Sequence, residues 1–124
     1  MIKRKEQINI NTECNNDGKT KLYLSDLADF ANRNSKLRTF AHAVLEANEE
    51  VQFHIHEGEC EYYYILSGKG LYNDNGELSE VTNGDVTFTP SGYGHGIKNI
   101  GDTSLEFIAL IIMDWQISYI SSYF

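Results

Sequence analysis

The stretch Val51-Gln-Phe-His-Ile-His-Glu-Gly-Glu-Cys-Glu61 decides how the chain is read. His54 and His56 are two residues apart. On a strand, side chains alternate faces with period two, so both imidazoles project to one side. Glu61 follows after Glu57-Gly-Glu-Cys60, which reads as a short turn. A neighbouring strand then brings a carboxylate back beside the two rings. Two neutral imidazoles and a carboxylate that converge on one point outline a transition-metal site. Glu57 and Glu59 flank it as rival carboxylates. Strand parity favours Glu61, as the residue that opens the Tyr-rich strand.

Outward from this stretch the chain reads as short strands between turns. Before it, Leu37 to Leu45 is apolar and extended, and Ala47-Asn-Glu-Glu50 turns it, with Asn48 able to accept a positive φ. After it comes Glu61 to Leu66, carrying Tyr62, Tyr63 and Tyr64. Asp74-Asn75-Gly76 signals a tight hairpin, and Asn83-Gly84-Asp85 a further turn. Val86 to Thr89 is β-branched and aromatic. Pro90 to Gly96 is too rich in glycine for a strand interior and carries His95 as a loop residue. Leu105 to Met113 is a long apolar strand, and Trp115, Ile117 and Tyr119 alternate as a last strand would. Towards the N-terminus, residues 1–10 read as a strand or arm, Leu22 to Leu24 as a short strand, and Ser25 to Ala31 as one or two helical turns. Turns every eight to twelve residues indicate an all-β sandwich or barrel.

The bulk numbers bound the function. A chain of 124 residues fits one compact domain, here a barrel over 37–124 with an N-terminal arm and short helical turn over 1–36 packed on it. A net charge of −8 argues against nucleic acid, whose binding rests on neutralising phosphates, and against an anionic membrane surface. Phe107 to Met113 is far too short to span a bilayer, and the basic start has no apolar run behind it. Cys14 and Cys60 lack a CxxC spacing and read as free thiols in a reducing compartment. The expected location is cytoplasmic.

Two motifs give the chain a family resemblance. The pattern G-x5-H-x-H-x(3,4)-E-x6-G is met by His54, His56, Glu61 and Gly68, with Asn48 in place of the first glycine. The pattern G-x5-P-x-G-x2-H-x3-N is met in full by Gly84, Pro90, Gly92, His95 and Asn99. The chain therefore resembles the cupins, small barrels of the double-stranded β-helix or jelly-roll type. The resemblance implies that His54, His56, Glu61 and His95 are the protein ligands of one divalent transition metal. An N/O site with open positions suits oxygen-rich substrates and so favours Mn or Fe slightly, while the mixed donors suit Zn, Ni, Co and Cu as well. Asn99 is expected to be a structural hydrogen bonder.

The resemblance leaves the reaction open, because metal cupins include isomerases, oxygenases, decarboxylases, lyases and non-catalytic binders. The expectation is an enzyme acting on a small oxygenated metabolite, a sugar, hydroxy acid or keto acid, chelated to the metal. The alternatives are a non-catalytic ligand-binding or sensing cupin and an iron-dependent dioxygenase. Tyr64-Ile-Leu-Ser-Gly-Lys-Gly70 is similar to cupins grouped with sugar-phosphate isomerases, but Lys98 is the chief basic residue near the motifs and makes a poor phosphate clamp. His42 becomes a general base if its strand turns it inward, and is otherwise a surface or satisfied histidine. Tyr63 shares parity with Glu61 and is placed to bond a substrate oxygen or to pack the core. The apolar terminal strands call for cover, so a homodimer is expected. Cys60, next to Glu61, reads as an inert turn residue.

Overall fold

In a computed structural model of the chain, residues 2–14, 21–27 and 36–114 are described. The strands are β1 (Ile10–Cys14), β2 (Lys21–Asp26), β3 (Leu37–Leu45), β4 (Glu50–Ile55), β5 (Glu59–Ser67), β6 (Lys69–Asp74), β7 (Glu77–Thr82), β8 (Val86–Thr89), β9 (Gly94–Asn99) and β10 (Leu105–Met113). One sheet has the order β1-β2-β3-β10-β5-β8 and the other β4-β9-β6-β7. All the strand pairs are antiparallel. This is the all-β jelly-roll architecture that the turn spacing and the motifs imply.

Period-two alternation builds the core. Ala41, Ala43 and Leu45 of β3 face inward with Leu105, Phe107 and Ala109 of β10 and Tyr63 and Ile65 of β5. Tyr72, Val81 and Ile97 answer them from the four-stranded sheet. Burying the larger of these, such as Leu45, Ile65 and Phe107, stabilises by about 1.5–3 kcal/mol each. Asn99 is fully buried among them. Its amide donates to the carbonyls of Leu45 and Thr103 at 2.9 and 2.8 Å, and its carbonyl accepts from Gly101 N–H. That pins the β9–β10 turn to β3, and its three bonds offset the cost of burying the amide.

Several local expectations are revised. Ser25 and Asp26 complete β2 instead of starting a helix, because β2 is paired along both edges, to β1 and to β3. Residues 28–31 of that expected helix, and the expected last strand over 115–124, lie outside the described residues. The N-terminal end holds a short 3-10 turn at Lys5–Gln7 before β1. Glu59 and Cys60 belong to β5, so the turn after His56 is only Glu57-Gly58. His95 lies within β9, paired with His54, and not in a loop. Asn48 has a φ of 66°, so asparagine takes the left-handed turn position where the motif has glycine.

Two register breaks change which side chains face inward. Between β4 and β9 the pairing shifts from Val51↔Ile97 to His54↔His95, so β4 carries one extra residue. Val51 packs against the core, and plain alternation from it would send Phe53 inward and His54 outward. The bulge reverses the phase and leaves Phe53 exposed. Gly94 and Gly96 make room for it: a Cβ on Gly94 would collide with the Phe53 ring, and one on Gly96 would lie 2.9 Å from Phe53 N and Val51 O. The second break is on β3, where Ile111 faces Thr39 but Ile112 faces Leu37, which leaves Arg38 as the extra residue.

Candidate metal centre

Four side chains from both sheets converge on one point. His54 comes from β4, His56 from the residue after it, Glu61 from β5 and His95 from β9. His56 lies beyond its strand, and the adjoining loop is strapped down. Its N–H donates to Tyr93 O and its carbonyl accepts from Gly92 N–H at 2.7 Å, while Gly58 N–H donates to Ser91 Oγ. The Pro90–Tyr93 loop thus holds the His56 end while β9 delivers His95.

The donor atoms nearly touch. His56 Nε2 lies 3.1 Å from His54 Nε2 and 3.2 Å from His95 Nε2. Glu61 Oε1 lies 2.8 Å from Nε2 of both His56 and His95. All four donors fall within 4.8 Å of one another. Metal–donor bonds of about 2.1 Å at right angles place neighbouring donors about 3.0 Å apart.

The opposite ring nitrogens are all occupied. His54 Nδ1–H donates to Gln52 O at 2.8 Å. His56 Nδ1–H donates to the Glu59 carboxylate at 2.8 Å. His95 Nδ1 meets the hydroxyls of Tyr72 and Thr89, each at 2.9 Å, which can accept its proton. The carbonyl and carboxylate acceptors at Nδ1 of His54 and His56 favour the tautomer whose Nε2 can ligate, and the two hydroxyls at His95 Nδ1 allow it. Three ring nitrogens and a carboxylate oxygen packed this closely need protons or a metal cation shared among them. The donor set therefore fits a divalent metal.

The electrostatics of the cluster differ from ring to ring. Burial pushes the His54 imidazole below its ordinary pKa, partly offset by its bond to Gln52 O. The Glu61 hydrogen bond, aided by Glu59, raises His56 despite burial. Burial pushes Glu61 up, but bonds from His56 and His95 outweigh it and hold the carboxyl below the usual range. These shifts favour the Glu61 carboxylate and the neutral His54 ring, the states that ligate, whereas His56, held up by the same carboxylates, would release a proton on ligating.

Tyr63 points inward, stacked on the His95 ring at 4.8 Å, and burial raises its phenol well above the ordinary value. His42 is not brought to the site. It lies on the outer face of β3, because Ala41 and Ala43 on either side face in, and it bonds Glu106 at 2.9 Å. As an exposed-face partner of Glu106 it is removed as a candidate general base. Glu59 and Glu61 share parity on β5, so parity does not separate them. Reach does: Glu61 meets the Nε2 edge of His56 and Glu59 the Nδ1 edge. The sequence reading missed Glu59, Tyr72 and Thr89 as supports of the ligands. For Glu59 a signal existed in its even spacing with Glu61, Tyr63 and Ile65.

A cavity of about 310 Å³ opens onto the cluster. Its walls include Leu22, Leu24, Val51, Phe107 and Ala109, with Arg38 and Thr39 also in the lining. Apart from the ligands, the titratable groups among the described lining residues are Arg38 and Tyr63.

This fold, with a cluster that could hold a metal, is a jelly-roll barrel, and the comparisons agree on the fold. The cupin domain family matches residues 41–112, and the chain belongs to that family. It is 44% identical over 96 residues to the oxalate-binding protein of Thermotoga maritima, covering 77% of this chain and 79% of that one. It is 30% identical over 95 residues to oxalate decarboxylase OxdC of Bacillus subtilis, covering 73% of this chain and only 24% of that enzyme. A crystal structure from Thermotoga maritima, described as a predicted oxalate decarboxylase, superposes with a TM-score of 0.83 at 40% identity, covering 91% and 99% of the two chains. The Schizosaccharomyces pombe Cnp3 cupin domain superposes at 0.71 with 14% identity over 93% of each chain, a likeness of fold alone.

Proposed function

We propose that this protein is a metal-dependent binder of a small, oxygen-chelating carboxylate such as oxalate. The observation that carries the reading is the convergence of three imidazole Nε2 atoms and Glu61 Oε1, with the Nδ1 edges of the rings bonded outward. His54, His56, Glu61 and His95 would hold one divalent ion, with Mn or Fe slightly favoured. When bound, the ion supplies a Lewis-acid site with positions left for ligand oxygens. The likeness to the oxalate-binding protein supports oxalate as the ligand.

Binding stands ahead of turnover because of what lines the cavity. A guanidinium such as that of Arg38 is a poor proton carrier, and burial holds the Tyr63 phenol well above its ordinary pKa. Neither is a general acid or base matched to neutral pH. His42 faces away. A metal-dependent enzyme acting on the same ligand is the second reading, supported by the likeness to the decarboxylase. The outer face of the six-stranded sheet carries exposed Phe40, Tyr62, Tyr64, Leu66, Val86 and Phe88, and we read it as a homodimer interface.

Elemental analysis of purified protein, followed by calorimetric titration with oxalate, tests the proposal. About one transition metal per chain and a saturable heat that disappears after chelation are the expected results. A metal-free protein, or metal-loaded protein without an oxalate heat, would sink it. Release of formate or carbon dioxide from oxalate would promote the second reading.

A further inference from the structure

Arg38 stands where regular alternation would not put it. With Ala41, Ala43 and Leu45 facing in, a regular β3 would turn Arg38 outward beside Phe40 and His42. The register break places Arg38 as the unpaired residue of a bulge, opposite the Ile111–Ile112 step. Bulges re-aim side chains, and this one directs Arg38 to the cavity that opens onto the metal cluster. There Nη1 lies 3.2 Å from Oε2 of Glu59, whose other oxygen accepts from His56. The Glu59 carboxylate is buried, whereas the Arg38 side chain is 59% exposed. Glu59 therefore tethers a guanidinium that still meets solvent at the cavity. Among the described residues lining that cavity, Arg38 carries the only permanent positive charge.

The chemistry of a chelating carboxylate gives this charge a use. A ligand that grips a metal through one oxygen from each of two adjacent carbonyl carbons directs its remaining oxygens away from the metal. In a dianion both outer oxygens carry charge, and a planar guanidinium matches a carboxylate edge better than any other side chain. We infer that Arg38 reads the second carboxylate of the bound ligand and makes the site selective for small dicarboxylate dianions over monocarboxylates of the same shape. The inference rests on the reading of the cluster as a carboxylate-binding metal centre. It adds a residue outside both sequence motifs, on a strand that brings no ligand to the cluster.

The test pairs two probes of equal size, oxalate and its monoamide oxamate, on Mn2+-loaded protein. Wild-type protein should bind oxalate at least about tenfold more tightly than oxamate. R38Q should retain its metal, lose about tenfold or more in oxalate affinity and change by about threefold or less for oxamate, so that the ratio collapses. R38K, which keeps the charge without the fork, should recover part of the preference. An unchanged ratio in R38Q would overturn the role of Arg38 and leave the metal-site reading standing. Loss of metal in R38Q would overturn it differently, by showing that Arg38 acts through Glu59 on His56. Wild-type protein that holds Mn2+ but binds neither probe would overturn the functional reading, and this inference with it.

Discussion

Glu59 accepts a hydrogen bond from His56 Nδ1 at 2.8 Å, and so turns the other nitrogen of the ring to Glu61. This is an orienting contact to a ligand from a residue that does not itself reach the cluster. Removing such a partner typically lowers metal affinity about 10–100-fold. Glu59→Ala should show that loss in competition with a chromogenic chelator. Glu59→Gln should lose less, because its amide oxygen can still accept from Nδ1. Equal affinities for wild type and Glu59→Ala would remove Glu59 from the site.

His95 and His42 make a matched pair of tests. His95 is fully buried with Nε2 in the cluster, and His42 bonds Glu106 on the outer face. His95→Ala should abolish stoichiometric metal, and the rise in Tm that metal gives the wild type should vanish. That rise is on the order of 10 °C if metal is supplied at about a thousand times its Kd. His42→Ala should keep both metal and oxalate binding. Loss of oxalate affinity in His42→Ala would refute its exclusion from the site.

Gly68 and Gly76 share a left-handed backbone, with φ of 92° and 102°, but differ in surroundings. A Cβ on Gly68 would lie 2.6 Å from Ser104 O, whereas one on Gly76 would meet nothing within 4 Å. Gly76→Ala should therefore cost only the backbone strain, about 1–2 kcal/mol. Gly68→Ala should cost clearly more, because the obstruction is main chain and cannot swing aside. Urea denaturation of the two variants checks the order, and equal losses would contradict it.

Tyr64 is 48% exposed on the outer face of β5, beside the Tyr62–Phe88 ring contact. If this face joins two copies, light scattering should give a dimer mass for wild type and a monomer mass for Tyr64→Glu, since a carboxylate there would be buried without a partner. A monomeric wild type at high concentration would end the dimer reading.

Much of the fold was legible because its signals are local. Asp74-Asn75-Gly76 marks a hairpin by its own backbone needs, and β6 and β7 pair across it in unbroken register. The alternation of Tyr63 and Ile65 with Tyr62 and Tyr64 sorts β5 into an inner and an outer face. Helical spacing around Ser25 misled because pairing on both edges of β2 outweighs a weak helical propensity over so few residues.

What the sequence determined by itself was the candidate donor set. His54, His56, Glu61 and His95 stand at motif spacings, and the chemistry of imidazole and carboxylate needs no tertiary detail to suggest a metal. What only the tertiary structure decided was where those donors and their neighbours point. The bulge on β4 turns His54 inward after Val51, and the bulge on β3 delivers Arg38 to the cavity. Each extra residue reverses the face of what lies beyond it. A bulge is settled by pairing with a strand distant in sequence, where glycines such as Gly94 and Gly96 make the room, so a period-two reading of either strand alone cannot place it.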